Sequence, residues 1–259
     1  MKATLLLPTF ALALSACSIT GIEGSGTILI QERQVPQFNS IAVHGSGEML
    51  LSQGAVAQVL IECDDNLLEY IESEVENSKL SLGPVGANLK PSNRIIYRVV
   101  VTDLDAIALS GSLRLQCPVL RADNFTIKTS GSGRVRIGDL QGKAVAYKVS
   151  GSGDLRLGSL QADTVTIKIS GSGSVEVSEG TANTLDVGIS GSGSMSLKDL
   201  QTQEASIRIS GSGKAQVWVD KKLDGKVSGS GKIEYWGTPV TNWSSAGSGK
   251  FRSMGEHQK

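Results

Sequence analysis

The sequence predicts an all-β protein whose body is a parallel β-solenoid, a β-helix with coils of about twenty residues. Gly-Ser-Gly or a near match starts at Gly111, Gly131, Gly151, Gly171, Gly191 and Gly211, each twenty residues after the last, then at Gly229 and Gly247 after eighteen. Between these marks apolar and polar residues alternate in two runs per repeat. The apolar positions align from one repeat to the next. Self-similarity at such a period is the mark of stacked repeats.

We number each repeat from its first glycine. Positions 5 and 7 hold Leu115/Cys117, Val135/Ile137, Leu155/Leu157, Val175/Val177 and Met195/Leu197. Positions 15, 17 and 19 hold Phe125/Ile127/Thr129, Val145/Tyr147/Val149, Val165/Ile167/Ile169, Leu185/Val187/Ile189 and Ala205/Ile207/Ile209, with polar or charged residues between them. Alternation of this kind means a strand with one buried and one wet face, whereas a helix needs apolar spacings of three and four. Strands from successive turns stacked about 4.8 Å apart bond each other's backbones and bury a continuous inner column. Glycine suits the corner because it reaches φ > 0 without steric cost. The serines at positions 2 and 20 can stack into hydroxyl ladders. A phosphate-binding loop does not fit, since Gly211-Ser212-Gly213-Lys214 runs into Ala215.

Upstream, isolated copies of the motif start at Gly24 and Gly45, and alternation continues through Ile41-Ala42-Val43, Val59-Leu60-Ile61 and Ile95 to Val101. Within the interruption from Asp65 to Glu76, Leu67, Leu68, Ile71 and Val75 fall at spacings of three and four. That predicts a short amphipathic helix able to cover the open end of the stack. Downstream, Trp218, Tyr235, Trp236 and Trp243 gather near the C-terminus, where aromatic residues cap the last coils or meet sugar rings. The chain beyond Lys250 reads as a flexible tail.

The first residues carry Lys2, an apolar stretch from Leu5 to Leu14, and Leu14-Ser15-Ala16-Cys17. This reads as an export signal, too short to persist as a membrane-spanning helix, and it resembles a bacterial lipobox. The resemblance implies cleavage before Cys17, acylation of that cysteine, and, because Ser18 follows it, an outer-membrane destination. The domain organisation expected is therefore 1–16 signal peptide, 17–34 lipidated N-terminus and linker, 35–250 solenoid domain and 251–259 tail.

The chain also resembles the head GIN domain proteins, the putative autotransporter adhesins, over about residues 35 to 250. The resemblance rests on Phe38-Asn39-Ser40-Ile41-Ala42-Val43, Asp65-Asn66-Leu67-Leu68, the repeated Ser-Gly-Ser-Gly, and Ile233-Glu234-Tyr235-Trp236-Gly237-Thr238-Pro239. It implies a right-handed parallel β-helix at the cell envelope, without naming a biochemical activity.

Lys+Arg and Asp+Glu balance at 25 each, so no global charge points to nucleic acid. With His44 and His257 as the only histidines, no transition-metal site or other cofactor is expected. Cys63 and Cys117 fall on inward positions, where they are either core thiols or, in an oxidising envelope, a disulfide. Asp154 and Glu176, on outward positions of successive coils, would lie about 8 Å apart, within the spacing of an inverting glycosidase pair. Short coils without long inserted loops leave a flat wall there, so no enzymatic activity is expected.

Position 18 carries Lys128, Lys148, Lys168, Gly188, Arg208 and Lys226, and the other strand adds Arg114, Arg134, Arg136 and Arg156. Stacked like charges repel by a few tenths of a kcal/mol per pair. Such a column either guards the wall against sheet-to-sheet aggregation or matches an anionic polymer or lipid headgroups. The expected function is a non-enzymatic envelope lipoprotein, membrane-bound through its anchor. It would present a rigid rod for adhesion or for binding anionic polysaccharide or lipopolysaccharide. A carbohydrate-active enzyme on a β-helix and an envelope stress sensor are the alternatives.

Overall fold

The computed structural model describes residues 21–257, so the apolar segment Leu5 to Leu14 and the predicted acylation site Cys17 lie outside the described residues. The body is a β-solenoid of about seven stacked parallel turns roughly 20 residues apart. Four successive strands, Arg134–Gly151, Asp154–Gly171, Ser174–Gly191 and Ser194–Gly211, each pair in parallel with the next, twenty residues on. Ile137 lies beside Leu157 and Leu157 beside Val177, so equivalent side chains pile in register. Every member of these inward columns is buried. Each buried aliphatic side chain contributes about 1.5–3 kcal/mol before entropic costs.

The corner glycines are needed for two separate reasons. Gly151 has φ +110°, and a Cβ there would come within 2.7 Å of the Gly131 carbonyl oxygen one coil below. The close approach follows from the stacking: the Ser152 amide donates to that same oxygen at 2.9 Å. The serines of position 20 also stack in register, as Ser130, Ser150 and Ser170 do. Among the described residues, however, their hydroxyls do not bond one another, so the predicted ladder is a column without lateral hydrogen bonds.

The shorter coil from Gly211 is fitted where its partner strand loses register, between Leu197 and Gln201 and again between Thr202 and Glu204. Thr202, fully buried, donates its hydroxyl to the Trp218 carbonyl at 2.6 Å, satisfying an oxygen displaced from the ladder.

The N-terminal end differs from the helical cap predicted. Ser40–Gln53 places Gly45 in the corner column opposite Gly111, so this isolated motif copy is a true coil corner. The end is then closed by antiparallel pairs: Gln58–Asp64 with Ile96–Val101, Ile28–Glu32 with Gln58–Asp64, and Ile71–Glu76 with Lys79–Pro84. The helix is only a 3₁₀ segment, Asp65–Tyr70. Its expected second half is a strand, because Ile71-Glu72-Ser73-Glu74-Val75-Glu76 alternates with period two as well as containing the helical spacing. Asn77 and Ser78, at φ 49° and 59°, make the tight turn that brings this strand back as a hairpin.

Parts of the expected linker and of the expected tail form strands. In the 17–34 segment, Ile28–Glu32 is an edge strand and Arg33 donates to the Leu68 carbonyl at 2.6 Å. In the 251–259 segment, Lys250–Ser253 pairs with Lys232–Trp236, setting Phe251 beside Ile233. The chain then returns over the last coils, where the His257 ring stacks on Trp218 with centroids 4.0 Å apart.

Candidate functional site

Coil stacking turns the position-18 residues into one line. Lys128, Lys148, Lys168, Gly188, Arg208 and Lys226 are successive in-register neighbours on the outer wall. The parity of the strand, with Val149, Ile169 and Ile189 buried on the alternate positions, forces these side chains outward. Arg208 is paired with Asp186 at 3.1 Å. Among the described residues, Lys128, Lys148, Lys168 and Lys226 have no carboxylate within ion-pair distance. The gap at Gly188 separates a triplet of lysines from the Arg208–Lys226 pair.

Beside the cations runs the serine column of position 20, and between the two lies a shallow groove. One stretch, about 400 Å³, is flanked by Lys168, Arg208, Lys226 and Ser170, Ser190, Ser210. Another, about 380 Å³, is flanked by Lys128, Lys148 and Ser130, Ser150. Cations on one bank and hydroxyls on the other suit a linear anionic chain lying along the stack, with one positive charge offered about every 4.8 Å over most of its length. The period made both the lysine and the serine columns legible in the sequence; the groove between them needed the structure.

The carboxylate pair weighed as catalytic is otherwise engaged. Asp154 accepts from the Ser174 hydroxyl at 2.6 Å and faces Arg134 at 3.9 Å, and Glu176 faces Arg156 at 3.5 Å. Both side chains are well exposed, each with a cation beside it.

Cys63 and Cys117 are buried free thiols, which corrects the disulfide reading. Two strands, Ser40–Gln53 and Ile96–Val101, lie between theirs in the sheet, a separation of about 14 Å at ordinary strand spacing, well past the roughly 7 Å Cα limit for a bridge. Each thiol instead donates to a backbone carbonyl, of Asp64 and Val119 respectively, at 3.3 Å. Burial pushes both up to about 11.

Two carboxylates escaped the sequence reading. Asp64 is completely buried; burial opposes its charge, yet the Ser92 hydroxyl and the amides of Gly26 and Ser92 hold it below the usual carboxylate range. It ties the first strands to the closing layer. Glu234 sits at the other end, where Lys232 above all, opposed by burial and joined by Lys214 and Gln216, brings it down to about 2. In sequence both are ordinary acidic residues. The aromatic group at that end packs largely on itself: Phe251 stacks on Trp243 at 5.2 Å and meets Tyr235 at 5.0 Å, while the Trp218 indole donates to Asp220 at 3.0 Å.

Solved structures share this architecture. A "putative adhesin" from Parabacteroides distasonis is 26% identical, with TM-score 0.86 over 90% of this chain and 99% of that one. A "putative lipid binding protein" from the same species is 25% identical, with TM-score 0.79 over 90% and 99%. A "putative adhesin" from Parabacteroides merdae, 22% identical with TM-score 0.86 over 90% and 98%, shares the fold. Among curated proteins none matches the sequence. The profile described as "Putative auto-transporter adhesin, head GIN domain" matches residues 37–239, spanning the corner column from Gly45 to Gly229. The chain belongs to the head GIN domain family.

Proposed function

We propose that the protein is a non-enzymatic, adhesin-like component of the cell envelope that holds a linear anionic polymer, an acidic polysaccharide or lipopolysaccharide, along its lysine–serine groove. The observation that carries this reading is the in-register run of Lys128, Lys148 and Lys168 without carboxylate partners. Cations crowded for solubility alone would gain from interspersed acids, as Asp186 provides at Arg208. Membership in the family described as "Putative auto-transporter adhesin, head GIN domain", and the neighbour described as a "putative lipid binding protein", agree with a surface role. Acylation at Cys17 would tether the rod to the outer membrane by its N-terminal end, leaving the lateral groove open.

The test uses soluble protein starting at Ser18. Binding to lipopolysaccharide and to alginate is measured at low and high salt, with neutral dextran as control. Binding that weakens in salt and in the variant K128Q/K148Q/K168Q supports the reading; equal binding by that variant refutes it. Radiolabelled palmitate incorporated by the full-length chain and lost in Cys17→Ser tests the anchor.

A further inference from the structure

On the wall formed by the other strand of each coil, Arg114 and Arg134 are in-register neighbours, as are Arg136 and Arg156. The four line a partly enclosed cleft of about 480 Å³ together with Glu48, Gln116 and Asp154. Acids offset this cluster only in part. Glu48, the in-register neighbour of Arg114, is bonded by Arg94 at 2.9 Å and by the Gln116 amide. Arg134 and Arg156 each have a carboxylate at ion-pair distance, Asp154 at 3.9 Å and Glu176 at 3.5 Å. Among the described residues, Arg114 and Arg136 have no carboxylate within ion-pair distance. Four guanidinium groups thus share one depression in which at least two lack an anion.

The identity of these cations is informative. Elsewhere lysine predominates, in the groove column apart from Arg208 and in Lys214, Lys232 and Lys250 near the C-terminal end, where Arg252 is a lone arginine. Lysine gives the same charge and the same protection against aggregation, but as a hydrated point. Arginine offers a planar fork that matches two oxygens of a phosphate at once. Arginines from neighbouring coils, about 4.8 Å apart, can bring forks to one phosphate from two sides. The Gln116 side-chain oxygen on the rim, its amide being given to Glu48, is left to accept from a hydroxyl group carried next to the phosphate.

We propose that the Arg114–Arg134–Arg136–Arg156 cleft is a phosphomonoester-binding site, distinct from the lysine–serine groove and independent of it. Its ligand is a terminal phosphate borne either on a sugar or on a lipid headgroup. Only non-covalent capture is involved.

The experiment titrates the Ser18-start protein with glucose 1-phosphate by calorimetry. In a parallel arm, it measures co-sedimentation with phosphatidylcholine vesicles with and without phosphatidic acid. The variants are R114Q/R136Q, the charge-preserving R136K, and K128Q/K148Q/K168Q, each checked for an unchanged thermal unfolding midpoint. Saturable binding in either arm that falls about tenfold or more in R114Q/R136Q, falls less in R136K and persists in the lysine variant supports the site. The arm in which it occurs identifies the source of the phosphate. Absence of saturable binding in both arms, or binding unaltered in R114Q/R136Q, overturns it. Loss of binding only in the lysine variant also overturns it, by returning the phosphate to the groove.

Discussion

Two glycine-to-alanine substitutions on the same coil stack should move stability in opposite directions. At Gly151 the backbone is at φ +110°, and a Cβ would lie 2.7 Å from the Gly131 oxygen. Backbone strain in this region costs about 1–3 kcal/mol. The contact is with backbone that is itself bonded to Ser152, so it cannot swing aside, and overpacking adds about 1–3 kcal/mol. Gly151→Ala should therefore lose about 2–6 kcal/mol. At Gly188 the strand is extended, and the nearest atom to a Cβ is Lys168 Cγ at 3.8 Å, an ordinary contact. Gly188→Ala should gain about 0.4–1 kcal/mol, because alanine narrows the unfolded ensemble. Thermal unfolding followed by circular dichroism reads both. At about 2–4 °C per kcal/mol for a domain of this size, the first falls by about 4–24 °C and the second rises by a few degrees at most. Equal effects at the two sites would refute the stacked-corner geometry, since that geometry alone separates them.

Further outcomes follow from the same structure. Glu234, held at about 2 against an ordinary 4.5, stabilises the fold fully above pH 4.5 and loses that contribution as pH falls through the folded value. Glu234→Gln should be destabilised at pH 7, by about 3 kcal/mol at most, with the gap to the parent closing between pH 4.5 and 2 in urea unfolding. Buried thiols pushed up to about 11 should not react with Ellman's reagent in native Ser18-start protein, and two equivalents should appear on denaturation; native-state reaction would contradict their packing. Tyr147 and Thr129 share a buried hydrogen bond of 3.2 Å, so Tyr147→Phe should cost about 1–3 kcal/mol by leaving the threonine hydroxyl unsatisfied. Gly188→Lys fills the gap in the cation column and should tighten alginate binding while leaving phosphomonoester binding unchanged. Tighter binding of both would mean that the two sites respond only to net charge.

The solenoid was legible in the sequence because its strands follow a local rule repeated at a fixed interval. Once Ile137, Leu157 and Val177 share a position in the repeat and an inward parity, stacking leaves them only one way to be buried. The lysine column followed from the same arithmetic. The period also located the glycine corners, whose need for φ > 0 is a property of single residues.

What lay outside that rule needed the tertiary structure. Ile71 to Val75 satisfies helical and strand spacing at once, and only pairing with Lys79–Pro84 selected the strand. Cys63 and Cys117 both face inward, but parity says nothing of the strands stacked between them. The arginine cleft closed by Glu48 from a coil 66 residues earlier and the depressed acidity of Asp64 and Glu234 arise from residues on different turns or layers. Periodicity along the chain determines which side chains face out and which repeat; it does not determine which charges meet. That depends on distances across coils, and those exist only once the chain is wound.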